Sequence, residues 1–104
     1  MPQLDILVKL QEWYAAQCDG EWEHQHGVKI ESCDNPGWWI KIDLVGTQLF
    51  GRPFEAVIEN TDASGSPIGV RWLNCRVENG VWHGAGDESK LGMILEKFLC
   101  WVNT

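Results

Sequence analysis

The chain has 104 residues, 44% hydrophobic and 22% charged, a composition that fits one globular domain, residues 1–104, and excludes an intrinsically disordered chain. Fifteen acidic against eight basic residues leave a formal charge of −7, so neither nucleic acid nor an anionic membrane surface is expected as a direct partner. No apolar run approaches the ~20 residues of a membrane-spanning helix, and the opening Met1-Pro2-Gln3-Leu4-Asp5 lacks the basic and apolar regions of a secretory signal, which predicts a cytoplasmic protein.

Pro2 suits a first helical turn, and Leu4, Leu7, Leu10, Trp13 and Tyr14 recur at helical steps until Cys18-Asp19-Gly20 supplies a stop. An amphipathic helix over about 2–17 is predicted. From Gly20 to Gly27 neither period holds, so the segment reads as a loop or short irregular strand with side chains available for contact. Period two starts at Val28 and Ile30, breaks at Asp34-Asn35-Pro36-Gly37 and resumes with Trp38, Ile40, Ile42 and Leu44 on one face and Trp39, Lys41 and Asp43 on the other. That is a β-hairpin with a Pro-Gly turn.

Gly46 to Pro53 is a longer connection, and the alternation of Phe54 to Glu59 predicts a third strand. Asn60 to Gly69 is read as a turn or flexible loop. Val70 to Glu78 is a strand with Trp72, Asn74 and Arg76 on one face, and Asn79-Gly80 is the strongest hairpin signal in the chain, leading to Val81-Trp82-His83. Gly84-Ala85-Gly86 is read as the turn into a last helix, with Asp87 as its N-cap and a stripe of Leu91, Ile94, Leu95, Phe98, Leu99 and Val102. Helix, run of strands, helix gives an α+β fold: a mainly antiparallel sheet of about five strands with an N-terminal and a C-terminal helix.

Chemistry-bearing clusters are few. Cys18, Cys33, Cys75 and Cys100 form no Cys-x-x-Cys, and in the cytosol they are expected to be free and mostly buried. Cys18, His24 and His26 could serve a small metal-dependent or cysteine-dependent enzyme, with Cys33 as a further zinc ligand. Their spacing matches no usual zinc pattern, however, and Cys18 falls at a helix C-terminus, where the dipole disfavours a thiolate. No nucleotide-binding loop, hydrolase elbow or metalloprotease motif is present. No cofactor and no catalytic residue is therefore expected.

Binding is the better-supported class. Residues 12–34 carry Glu12, Asp19, Glu21, Glu23, Glu31 and Asp34 against Lys29, and seven tryptophans are more than a core of this size needs. Trp22 in the acidic stretch, with Trp38 and Trp39 beyond a turn, suggests a protein-binding surface: indoles supply desolvated contact, carboxylates steer the encounter. Alternation sends Trp38 and Trp39 to opposite faces, so Trp39 points outward unless the sheet is covered on both sides. The expected partner-binding set is Asp19, Glu21, Trp22, Glu23, Asp34, Trp38 and Trp39. An exposed edge strand could pair two copies or be covered by a helix, which leaves monomer and homodimer open.

At these residues the sequence resembles the immunity protein 53 family of bacterial polymorphic toxin systems. The matching blocks are Leu10–Tyr14, Gln17-Cys18-Asp19-Gly20-Glu21-Trp22-Glu23-His24, Gly27–Glu31, Asp34-Asn35-Pro36-Gly37-Trp38, Lys41–Leu44 and Gly84-Ala85-Gly86. The resemblance implies a small cytosolic protein that binds and neutralises a cognate toxin domain without catalysis. The acidity suits a basic nuclease as that toxin. The loop Ala63–Gly69, Cys33 and the doubled Trp38-Trp39 depart from the family pattern, and the resemblance identifies no inhibitory residue, so the contact set rests on physical reading alone. An ordinary subunit of a housekeeping complex is the third alternative.

Overall fold

A computed structural model describes residues 2–104, with side chains from Asp5 onward; the expected packing of Leu4 lies outside the described residues. The elements are α1 (Pro2–Gln17), α2 (Trp22–Gln25), β1 (Val28–Cys33), β2 (Gly37–Asp43), β3 (Val57–Glu59), β4 (Leu73–Glu78), β5 (Val81–Asp87) and α3 (Leu91–Val102). The five strands form one antiparallel sheet in the order β1-β2-β5-β4-β3. The fold is α+β, with the long helices at the two ends of the chain, as the periodicities predict. No helix among the described residues is long and apolar enough to cross a membrane.

Alternation decides which side of the sheet is buried. Ile40 and Ile42 of β2, Leu73 and Cys75 of β4 and Trp82 of β5 point one way and meet Ile94, Leu95 and Phe98 of α3, all essentially inaccessible. Phe98 is the hub of an edge-to-face aromatic array, with ring centroids 5.0 Å from Trp13, 5.3 Å from Trp82 and 6.3 Å from Trp101. Phe54, expected to open a third strand, instead turns inward to Trp101 at 5.1 Å and Trp82 at 5.9 Å. The side chain's apolar contacts outweigh the strand pairing, so β3 keeps only Val57–Glu59.

Two further expectations change. Gly84-Ala85-Gly86 is not a turn but the middle of β5, paired on one side with Ile40-Trp39-Trp38 and on the other with Cys75-Asn74-Leu73. The glycines are needed for packing: a Cβ on Gly84 would collide with Cγ2 of Ile94 and lie 2.6 Å from the Trp82 ring, and one on Gly86 would lie 2.7 Å from Cβ of Lys90. Bare backbone there lets α3 settle directly on the sheet. The Asn79-Gly80 turn is as predicted, both residues at positive φ (55° and 76°).

Asp87, predicted as an N-cap, ends β5 instead, and α3 begins four residues later with no side-chain cap. Its carboxylate is fully buried and binds Trp72 N–H at 2.8 Å, Ser89 N–H at 2.9 Å, Ser89 Oγ, Arg71 at 3.0 Å and Lys90 Nζ at 3.0 Å. Desolvation opposes the charge, but the Ser89, Lys90 and Trp72 donors win and hold the carboxyl well below its ordinary 3.8. One acid thus ties the start of β4, the end of β5 and the approach to α3 together.

Gly84→Ala is expected to cost about 1–3 kcal/mol by overpacking, read in urea or thermal unfolding. Asp87→Asn is expected to cost about 3 kcal/mol at neutral pH, because it strands Lys90 and leaves buried donors under-satisfied. The depressed native pKa means that the Asp87 contribution is intact above pH ~4 and drains away as pH falls towards the native value. Stability measured from pH 7 to pH 2 should therefore fall less steeply in Asp87→Asn than in the parent.

Candidate functional site

The acidic segment after α1 is a self-capping turn. The Asp19 carboxylate accepts from the N–H groups of Glu21 and Trp22, both at 2.9 Å, while the Glu23 carboxylate reaches back to the N–H groups of Asp19 at 2.9 Å and Gly20 at 2.8 Å. The reciprocal arrangement follows capping-box logic and starts α2. The N–H groups of Trp22 and then Glu21 hold Asp19 below its ordinary pKa, and Glu23 is lowered first by its own backbone N–H.

The turn drives Trp22 inward. Trp22 is 6% exposed, its Nε1 donates to the Val45 carbonyl at 2.8 Å, and its ring meets Trp13 at 6.2 Å and Tyr14 at 6.0 Å. The expectation that residues 20–27 form a loop with its side chains free for contact is corrected for Trp22. An aperiodic stretch hides its burial because the indole is delivered by capping hydrogen bonds rather than by a repeating face.

The seven expected contact residues do not form one patch. Asp19, Glu21, Trp22 and Glu23 sit before β1, Asp34 after it, and the six residues of β1 span roughly 17–20 Å. Trp38 lies half-buried on the helix side, its Nε1 donating to the Glu88 carbonyl at 3.1 Å. Trp39 emerges on the opposite side of the sheet, where no helix covers it, and is 39% exposed. Lys41 Nζ lies 4.1 Å from its ring centroid, and His83 stacks obliquely at 6.4 Å. Burial, then the charge of Arg76, lowers the His83 pKa and favours its neutral imidazole.

Beside Trp39 the open face carries a cleft of about 360 Å³ between the sheet and the loop of residues 60–69, lined among others by Trp39, Ser64, Ser66, Pro67, Trp72 and Arg76. Ala85, directly opposite Trp39 on β5, is small enough to leave this floor open. The loop is ordered rather than flexible: Asp62 accepts from Ser64 N–H at 2.9 Å, Ser64 Oγ at 2.6 Å and Ser66 N–H at 3.0 Å. Thr61 Oγ1 takes a bond from Asn74 Nδ2 at 3.2 Å, which pins the loop to β4. Alternation already put Trp72, Asn74 and Arg76 on one face; no local signal placed the loop above them.

Cys18, His24 and His26 do not assemble a centre. Cys18 is exposed and its Sγ turns back to the Tyr14 carbonyl at 3.3 Å, His24 is exposed, and His26 faces Asp43 at 3.8 Å. Among the described residues no group of three or more His, Cys, Asp or Glu side chains is placed to hold a metal ion. All four cysteines are free, but only Cys75 is buried, with its thiol pushed up to about 12 by desolvation; Cys18 and Cys100 are exposed. This corrects the expectation of mostly buried thiols. Apolar patterning counts cysteine as a core residue without knowing which helix face is covered.

Trp22→Ala is expected to lower stability by about 3 kcal/mol or more, as for other large-to-small core changes, with a lower unfolding midpoint and a blunted near-UV tryptophan signal.

Comparison with known proteins adds the family. No curated protein and no solved structure matches the chain with significance. A family model described as Immunity protein 53 matches residues 7–103, nearly the whole length, including the self-capping turn, the β1–β2 hairpin and the glycines under α3. The chain belongs to the immunity protein 53 family.

Proposed function

We propose that the protein neutralises a cognate toxin by docking on it, without catalysis, through the uncovered sheet face around Trp39. The observation that carries this reading is the exposed Trp39 indole at the mouth of an ordered cleft, on a face that neither long helix covers. Family membership implies a toxin as the partner. Rigid aromatic anchors beside concavities are where binding energy concentrates, because they desolvate area at little entropic cost.

Charge has a separate task in this reading. Lys41 and Arg76 alternate with Glu31 and Glu78 on the strands near Trp39, so the contact itself is mixed in sign. The excess of −7 acts at longer range, drawing in a basic toxin domain such as a nuclease inside the producing cell. Asp34 lies at the hairpin turn that sets the phase of β2, and Trp38, on the helix side, helps hold that strand in place rather than meeting the toxin. Glu21 belongs to the steering charge at the other end of β1, and Asp19 and Glu23 contribute charge while holding the turn that buries Trp22.

The test is co-expression with a candidate toxin domain from a neighbouring gene, followed by affinity measurement on the purified pair. Trp39→Ala should keep the unfolding midpoint and weaken binding by about 2 kcal/mol or more, near thirtyfold in Kd, with loss of protection. Glu21→Lys should leave the dissociation rate alone and reduce the salt dependence of the association rate. Undiminished affinity in Trp39→Ala would move the contact off this face.

A further inference from the structure

The outer strand of the sheet, β1, is an open edge, its four central residues exposed. Its hydrogen-bonding phase is fixed by the bond from Asp43 N–H to the Gly27 carbonyl at 3.1 Å. In an antiparallel ladder such pairs alternate, so Lys29 and Glu31 bond to β2, while Val28, Ile30 and Ser32 aim N–H and C=O away from the sheet. Ile30 is 42% exposed on the helix side, and Leu7 and Tyr14 of α1 are exposed beside a groove that also includes Val28. An unpaired strand edge thus continues into apolar helix surface, the arrangement that invites another strand.

We infer that β1 pairs with β1 of a second copy of this chain, across a two-fold axis at Ile30, to give a continuous ten-stranded sheet. The sequence of the strand is self-complementary in this register. Ile30 faces its own counterpart, Val28 faces Ser32, and Lys29 faces Glu31 on the open side, once on each side of the axis. The hydrogen-bonded pairs fall on Val28, Ile30 and Ser32, the residues whose backbone groups are free. Within one copy Lys29 lies directly opposite Lys41, an unfavourable like-charge pair. A carboxylate on the other flank of Lys29 compensates that repulsion, and Glu31 of the second copy supplies it. The pairing is carried by the backbone edge of β1 and does not require the toxin-docking reading, although Glu31 also borders the Trp39 face.

The purified full chain should sediment and scatter at twice 11.8 kDa. K29E and E31K each place like charges opposite one another at both symmetric positions, and each should raise the dimer Kd by about tenfold or more at low salt. The double variant K29E/E31K restores opposite charges and should dimerise again, and mixing the two single variants should give a heterodimer. Thermal melts and circular dichroism on every variant separate lost pairing from lost folding, and the rescued double variant guards against misfolding of a single one. A parent chain that stays monomeric at ~100 µM, or a dimer that neither single reversal weakens, would overturn the inference.

Discussion

The seating of α3 on the bare backbone of β5 is the contact on which the rest of the structure depends. Ile94 occupies space that any Cβ on Gly84 would claim, and Lys90 does the same over Gly86. Because α3 sits that close, Phe98 reaches the plane of Trp82, and through it the edge-to-face array extends to Trp13 on α1 and to Trp101 and Phe54. Six tryptophans are drawn at least partly into holding the fold, and Trp39 is left as the exposed one. The surplus of indoles in the composition is therefore smaller than a count suggests.

Segments that look like binding signatures divide into those that build and those that present. The Cys-Asp-Gly-Glu-Trp-Glu-His block is occupied with its own backbone: Asp19 and Glu23 satisfy the N–H groups of the turn, and the turn buries Trp22. A carboxylate so engaged still contributes field at a distance, but it gives up its hydrogen-bonding capacity to the turn. The Asp-Asn-Pro-Gly-Trp hairpin instead sets the phase of β2, and that phase puts Trp38 under α3 and Trp39 into the open. The family-like blocks are in large part scaffold, with the exposed Trp39 face beside them.

The sheet presents two surfaces of different character. The face around Trp39 is aromatic, mixed in charge and concave, and the ordered loop of residues 60–69 bounds it through Asp62 and Thr61. The β1 edge is a row of free backbone groups with alternating apolar and charged side chains. One surface suits recognition of an unlike partner by shape, the other recognition of a like strand by hydrogen bonding and register.

Sequence alone determined whatever depends on neighbours within a few residues. The span of α1, the β1–β2 hairpin, the Asn79-Gly80 turn, the α3 stripe and the opposite facing of Trp38 and Trp39 all follow from periodicity and turn chemistry. Tertiary structure decided what depends on distant partners. It made a central strand of Gly84-Ala85-Gly86, because a glycine pair reads as a turn until a helix is found pressing on it. It turned Asp87 from a cap into a buried anchor for Arg71, Ser89 and Lys90, took Trp22 inside, split the acidic stretch across the length of β1, and folded the loop of residues 60–69 over Arg76 and Trp72. Burial is a property of the assembled layers, and no local pattern encodes which face a helix will cover.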